Sequence, residues 1–113
     1  MIKNATNNTI LCNKEKVLRS HISKAIGLMF SKKQEIGLVF VFEKLRKVDL
    51  HMFFVFYSID VIFLDEEKRI IEMKKSFMPF TFYFSNKKAK YVIELPQYSL
   101  SKSNTKISDL VEF

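Results

Sequence analysis

Short apolar runs separated by polar turn residues divide most of this sequence, and their spacing constrains the fold more than any other feature. The turn signals recur at intervals of about 8 to 12 residues, which is typical of small barrels and rolled sheets. We therefore predict a mainly β protein with minor α structure (α+β), built as a barrel-like or rolled sheet of about seven or eight short strands. The clearest runs are TILC (9–12), KVLR (16–19), GLVFVF (37–42), 49–55, IDVIFL (59–64), RIIEM (69–73), KYVIEL (90–95) and DLVEF (109–113).

Polar turns between some of these runs predict β-hairpins. TILC and KVLR are separated by residues 13–15, and Asn13 tolerates the positive φ that a short hairpin turn needs. The turn DEEK (65–68) similarly predicts a second hairpin between 59–64 and RIIEM. In the run 77–84, Pro79 lacks an amide hydrogen, so this position cannot lie in a central strand.

Two segments predict helices. In SHISKAIGLMFSKK the apolar residues recur at helical spacing, which predicts a helix near 20–31 with Ser20 as its N-cap. A second, short helix is expected near 97–104, in QYSLSKSN.

Length and hydrophobicity bound the number of domains and the compartment. A chain of 113 residues with 48% hydrophobic content predicts a single domain, 1–113, with a polar N-terminus frayed over 1–8. The apolar stretch 50–64 is shorter than the ~20 residues of a membrane helix and contains Asp60, so no membrane span is expected. The N-terminus has no apolar h-region, and Cys12 is the only cysteine, which together predict a cytoplasmic protein.

The charge is strongly basic. The net charge is +7, with sixteen lysines and three arginines. Because the cations come in small groups near predicted turns, solvated loop ends are the plain interpretation, although basic charge also attracts nucleic acid or anionic membranes. Because arginine is scarce, the chain has few side chains that can form bidentate hydrogen bonds to guanine or to phosphate.

Four phrases in order resemble one known family. KAIGLMFSKK, GLVFVFEK, IDVIFLDEEKRIIEM and KAKYVIELP are similar to segments of the uncharacterised archaeal and bacterial family called domain of unknown function 192, over roughly residues 10 to 113. The resemblance implies a compact, β-rich, single-domain protein. It implies no established activity.

The family pattern WMKNT followed by IPLD is only partly kept. The resemblance places His51 at the Trp position, Met52 at the Met, and Asp60 at the Asp. Residues 53–55 are Phe-Phe-Val where the family has Lys-Asn-Thr. Any ligand site that the family builds from this polar triplet is therefore in doubt for this chain.

His51, Met52 and Asp60 are the candidate ligand-binding residues. Asp60 follows Ser58 at the start of a run, so we expect its carboxylate to accept turn amides and to divide the apolar stretch between two strands, with a ligand or catalytic role as the alternative. His51 lacks a neighbour at metal-ligand spacing, so no metal is expected. No cofactor is expected either, because two glycines cannot form a phosphate cradle. Other carboxylates at turns could pair for acid–base work, namely Asp49, Asp65, Glu66, Glu67 and Glu72.

Three functions remain open. The preferred one is a non-catalytic binding or accessory module for a small ligand or a protein partner. The second is a weak single-stranded nucleic-acid binder that uses lysines and exposed aromatics. The third is an enzyme with His51 and Asp60 in a cleft. Phe80, Phe82 and Phe84 share strand parity while Tyr83 faces the other way, so an exposed aromatic side could also form a homodimer interface.

Overall fold

The computed structural model describes residues 1–19, 36–51, 57–79 and 81–113, and in these ranges the chain is mainly β. The described strands are β1 (Ile2–Asn4), β2 (Thr9–Cys12), β3 (Lys14–Leu18), β4 (Ile36–Arg46), β5 (Asp49–His51), β6 (Ile59–Leu64), β7 (Ile70–Phe77), β8 (Phe82–Phe84), β9 (Ala89–Pro96) and β10 (Val111–Glu112). One short helix, α1 (Ser99–Lys102), follows β9.

The strands form three sheets. The central sheet has the order β3-β4-β9-β6-β7, a second has the order β10-β1-β2, and β5 pairs with β8 as a two-stranded ribbon. All pairings are antiparallel except β3–β4, which is parallel. Within the described ranges the mainly β prediction is confirmed, and the sheets remain open instead of closing into a barrel.

The central sheet is buried on both faces. One face, here called the aromatic face, carries Phe40, Phe42, Phe63 and Phe77 and is covered by the β5–β8 ribbon. Tyr83 of β8 packs there, with its ring centroid 5.7 Å from that of Phe63. The opposite, aliphatic face carries Ile62, Leu64, Ile93 and Leu95 and packs against α1 and the three-stranded sheet. Because both faces are covered, every residue of β6 is buried.

Several predicted elements are confirmed. The run 59–64 coincides with β6, and the turn at 65–68 leads into β7 as an antiparallel partner. GLVFVF lies inside β4, KYVIEL inside β9, and α1 falls within the predicted helix 97–104. The predicted helix 20–31, and the part of the predicted strand 49–55 beyond residue 51, lie outside the described residues.

The predicted hairpin between TILC and KVLR is wrong. β2 pairs with β1, whereas β3 pairs in parallel with β4. The reason lies in packing, because Leu11 and Cys12 of β2 join the aliphatic cluster while Leu18 of β3 joins the aromatic cluster. The two adjacent runs therefore serve opposite faces of the central sheet.

The expected fraying of residues 1–8 is also wrong. Ile2 is 0% exposed, and β1 lies between β2 and β10. The amide of buried Asn4 donates to Thr105 Oγ1 (3.0 Å) and Asp109 Oδ2 (2.8 Å), and its carbonyl oxygen accepts from the N–H of Thr6 (3.0 Å). The polar N-terminal residues are thus ordered by partners near the other end of the chain, which local composition does not reveal.

Among the residues described, no helix has both the length and the hydrophobicity needed to cross a membrane.

Candidate functional site

Asp60 is a buried structural anchor inside β6. Its side chain is 1% exposed and accepts two backbone amides, from Ser76 (3.0 Å) and Leu100 (3.0 Å). Ser76 has a positive φ of 51° at a bulge of β7, where the register shift leaves its amide outside the strand ladder. Leu100 lies in the first turn of α1, where Tyr98 at the N-cap provides no side-chain acceptor. Asp60 therefore provides the acceptor for one buried and one partly buried amide.

The predicted position of Asp60 at a turn is wrong, although the apolar stretch does contain two strands, β5 and β6. Asp60 lies inside β6, and the amides that it binds lie 16 and 40 residues away instead of in a local turn. The expected chemistry, a carboxylate accepting backbone amides, is nevertheless observed.

The structure does not bring Asp60 to the ribbon that contains His51. His51 ends β5 and pairs with Phe82 of β8, and this ribbon lies over the aromatic face. The amides that Asp60 binds belong to the opposite side, where Leu100 packs in the aliphatic cluster. Met52 and the 53–55 triplet lie outside the described residues. A ligand role for His51, Met52 and Asp60 stays a prediction.

A buried acid that the sequence analysis missed is Glu94. It lies on β9 between Leu38 of β4 and Val61 of β6, and its parity with Val92 directs it to the aromatic face. The side chain is 4% exposed, and its Oε2 has no hydrogen-bond partner within the described part of the chain. The detectable signal was a carboxylate at an inward position of an apolar strand.

Burial controls the protonation of Glu94. Because an apolar surrounding disfavours a carboxylate, burial raises the pKa of Glu94 to about 8. The pKa of nearby Tyr57 is also raised, first by burial and then by the negative charge of Glu94. At neutral pH, Glu94 is therefore mainly an uncharged acid that can donate a hydrogen bond.

A second buried carboxylate, Glu72, fixes the turn between β8 and β9. It accepts hydrogen bonds from the Tyr83 hydroxyl and from the amides of Asn86 (2.9 Å) and Lys87 (3.1 Å). Burial, followed by the hydrogen bond to Glu72, raises the pKa of Tyr83 to about 12. The oxygens of Glu72 are thus engaged in holding this turn in place.

The turn between β8 and β9 contributes two lysines to a cluster of cations, here called the basic end. The cluster consists of Lys44, Arg46, Lys47, Lys87 and Lys88. The register pairs Arg46 with Ala89 and so brings the end of β4 beside the turn that precedes β9. Ser85 also ties the two segments together. Its amide donates to Val48 O (2.9 Å), and its Oγ accepts from Val48 N–H (2.7 Å). All five cations are exposed, and none forms an ion pair with another described residue.

Two exposed phenylalanines adjoin the basic end. Phe82 and Phe84 are 55% and 62% exposed, and their rings are nearly parallel, with a 6° interplanar angle and centroids 6.1 Å apart. Phe84 directly precedes Ser85, and its strand partner Asp49 lies two residues after Lys47. Tyr83 packs inward, so the predicted opposite parity of 83 against 82 and 84 is confirmed, whereas Phe80 lies outside the described residues.

A surface groove beside α1 is a weaker candidate. It has a volume of about 270 Å³ and is lined partly by Ile10, Tyr98 and Lys102. Two of its polar side chains are already used, because Gln97 donates to Ser76 Oγ and Ser99 donates to Pro96 O. In the part of the chain that the structure describes, no three His, Cys, Asp or Glu side chains gather as a metal site.

Comparison with known proteins identifies the family. The profile of domain of unknown function 192 (DUF192), described as "Uncharacterized ACR", matches residues 2–113. The chain belongs to the DUF192 family. The resemblance of the four sequence phrases is thereby confirmed. Asp60 and Glu94 both fall within those phrases, IDVIFLDEEKRIIEM and KAKYVIELP.

Two archaeal proteins are similar to this chain. The UPF0127 protein of Thermococcus sibiricus is 31% identical over 115 residues, covering 100% of this chain and 74% of the relative. A UPF0127 protein of Pyrococcus horikoshii is 35% identical over 99 residues, covering 86% of this chain and 84% of the relative. These names state no activity.

Two solved structures share the fold. A protein of Sinorhizobium meliloti 1021, provisionally described as a transcription regulator, superimposes with a TM-score of 0.81 at 20% identity, covering 87% of this chain and 79% of that one. A protein of unknown function from Novosphingobium aromaticivorans gives a TM-score of 0.80 at 21% identity, covering 88% of this chain and 74% of that one. At this level of identity the likeness concerns the fold alone.

Proposed function

We propose that this protein is a non-catalytic binding module whose basic end binds a polyanion. The observation that carries the proposal is the grouping of five exposed cations, without ion-pair partners among the described residues, at one end of the central sheet. From the sequence we expected these cations to lie at separate, solvated loop ends. The pairing of β4 with β9 instead brings two of those groups together.

The acidic residues near the basic end are fewer than its five cations. They are Glu43, an exposed carboxylate of β4, Asp49 at the start of β5, and Glu72, whose oxygens accept the amides of Asn86 and Lys87. Like charges that share one surface within a Debye length of about 8 Å repel each other. A bound polyanion relieves this repulsion and gains free energy by releasing its own counterions.

The enzyme hypothesis receives less support. It needs His51, Asp60 and another polar group around one pocket, but both oxygens of Asp60 already accept backbone amides, those of Ser76 and Leu100. A non-catalytic role therefore stays our proposal. The cytoplasm stays the predicted compartment, because Cys12 is the only cysteine of the chain.

A second candidate function is the binding of a small ligand at Glu94 on the aromatic face. The supporting observation is that Oε2 of this buried acid has no partner among the described residues, whereas buried polar groups are normally paired. A ligand with a hydrogen-bonding group could supply the missing partner. Tyr57, which lies near enough to sense the charge of Glu94, would line the same site.

The proposal that the basic end binds a polyanion is tested by removing two positive charges there and, in a control variant, two positive charges elsewhere. We expect the double variant Lys87→Gln/Lys88→Gln to elute from immobilised heparin at a lower salt concentration than the wild type, because two contacts to the polyanion are lost. Lys14→Gln/Lys16→Gln is the matched control. It removes the same charge from exposed positions on β3, away from the basic end, and should elute closer to the wild type.

The comparison between the two double variants decides the result. Both variants have the same net charge. Equal decreases in the salt concentration needed for elution would mean that heparin binding depends on overall charge, which would contradict a localised site. A wild type that fails to bind heparin even at low salt would also overturn the proposal. Circular dichroism and thermal denaturation should show both variants folded, since all four lysines are exposed.

A further inference from the structure

We infer that the polyanion is a single-stranded nucleic acid, whose bases stack on Phe82 and Phe84 while its phosphates contact the basic end. This inference rests on the proposed function and adds the chemistry of the partner. It depends on two features that adjoin each other in the fold: the exposed cations and the exposed parallel rings.

The two rings suit unstacked bases. Both phenylalanines remain more than half exposed although Tyr83 between them is packed inward, so the ribbon presents its aromatic side outward. Base–aromatic stacking requires only the flat surface of a base and therefore tolerates any sequence. A ligand that carried charge alone, such as heparin or polyphosphate, would not use the exposed surface of these rings.

Because the rings of Phe82 and Phe84 adjoin the cations of the basic end, one ligand can contact both. Ser85 directly follows Phe84, and its Oγ donates to Lys87 O (3.1 Å). The strand partner of Phe84 is Asp49, two residues after Lys47. A strand with its bases on the ribbon therefore has its backbone close to both groups of cations.

A single strand fits better than a duplex. The bases of a duplex are stacked within the helix, so exposed rings on a short ribbon cannot reach their faces. Reading of base edges in a groove depends largely on arginine, and Arg46 is the one arginine at the basic end. Its guanidinium already lies 5.4 Å from the ring centroid of Phe42. We therefore expect weak, sequence-tolerant binding.

Fluorescence anisotropy with a labelled oligothymidine and a labelled duplex of equal length tests the inference at low salt. The wild type should bind the single strand more tightly than the duplex. The double variant Phe82→Ala/Phe84→Ala should bind the single strand at least about 25-fold more weakly, as expected for the loss of two base–aromatic contacts of about 5-fold or more each. Its elution from heparin should not change. Tyr98→Ala, which removes an exposed aromatic next to α1, is the matched control and should leave oligothymidine affinity unchanged.

A second pair of substitutions separates stacking from packing. Phe82→Leu/Phe84→Leu keeps an apolar surface on the ribbon but removes the aromatic faces, so it should weaken oligothymidine binding as the alanine pair does. If the alanine pair fails to fold, the leucine pair still gives the answer. Leucine variants that bind with wild-type affinity would overturn the stacking inference.

The outcomes distinguish this inference from the proposed function. Binding to heparin that depends on Lys87 and Lys88, combined with equal affinity for single strand and duplex, would leave the polyanion site and overturn the single-strand partner. No binding to any polyanion would overturn both. A dimer in light scattering that the phenylalanine substitutions convert to a monomer would assign the ribbon to a homodimer interface and overturn the inference.

Discussion

Replacing Asp60 with alanine should lower the free energy of unfolding by about 3 to 5 kcal/mol, the sum for one buried and one partly buried amide left without an acceptor. The amides are those of Ser76 in the β7 bulge and Leu100 in the first turn of α1. Neither has an alternative partner nearby, because the bulge interrupts the ladder and Tyr98 provides no cap. Urea denaturation followed by circular dichroism measures the change.

Two further substitutions serve as controls for Asp60→Ala. Asp60→Asn keeps one acceptor oxygen and should destabilise by about half as much. Asp65 also accepts two amides through its side chain, from Glu67 and Arg69, but in an exposed turn. Asp65→Ala should therefore lower stability by about 1 kcal/mol, because water replaces the lost acceptor. Equal losses for Asp60→Ala and Asp65→Ala would show that burial of the amides does not matter.

Stability should fall as the pH rises from about 4.5 towards 8, because the folded protein holds a proton on Glu94 that the unfolded chain releases. The pKa of Glu94 rises from 4.5 to about 8 on folding. Below the lower value both states are protonated and Glu94 is neutral in both. Between the two values the folded state binds more protons, so the free energy of unfolding decreases by up to about 1.4 kcal/mol per pH unit.

The variant Glu94→Gln isolates this effect. It cannot ionise, so the difference in stability between variant and wild type should grow in favour of the variant as the pH rises through this window. Urea denaturation at several pH values gives the difference, in which contributions from the other titrating groups cancel. Glu112→Gln, at an exposed position on β10, should track the wild type. A constant difference between Glu94→Gln and wild type would mean that Glu94 is ionised throughout.

Elements defined by local sequence were predictable. The boundaries of β6 were found because a run that is apolar except for Asp60 lies between Ser58 and the turn DEEK. α1 was anticipated in a short polar segment after Pro96. In both cases the deciding information lies within a few residues of the element itself.

Features that depend on partners far along the chain were missed. The sheet to which β2 belongs is decided by β1 and by packing against the aliphatic face, not by the turn at 13–15. Asp60 resembled a turn residue because the amides that donate to its carboxylate, those of Ser76 and Leu100, cannot be recognised from the sequence around it. Glu94 was passed over because its burial follows from the pairing of β9 with both β4 and β6. The basic end likewise exists only through strand register.

The position of β1 between β2 and β10 has a consequence for synthesis on the ribosome. Ile2 and Asn4 emerge long before Val111, which pairs with Asn4. Until residues 111–112 leave the exit tunnel, one edge of β1 has unpaired backbone groups that are open to other chains. Because closing such distant pairs is slow, the nascent protein should need protection from aggregation until translation has passed this point.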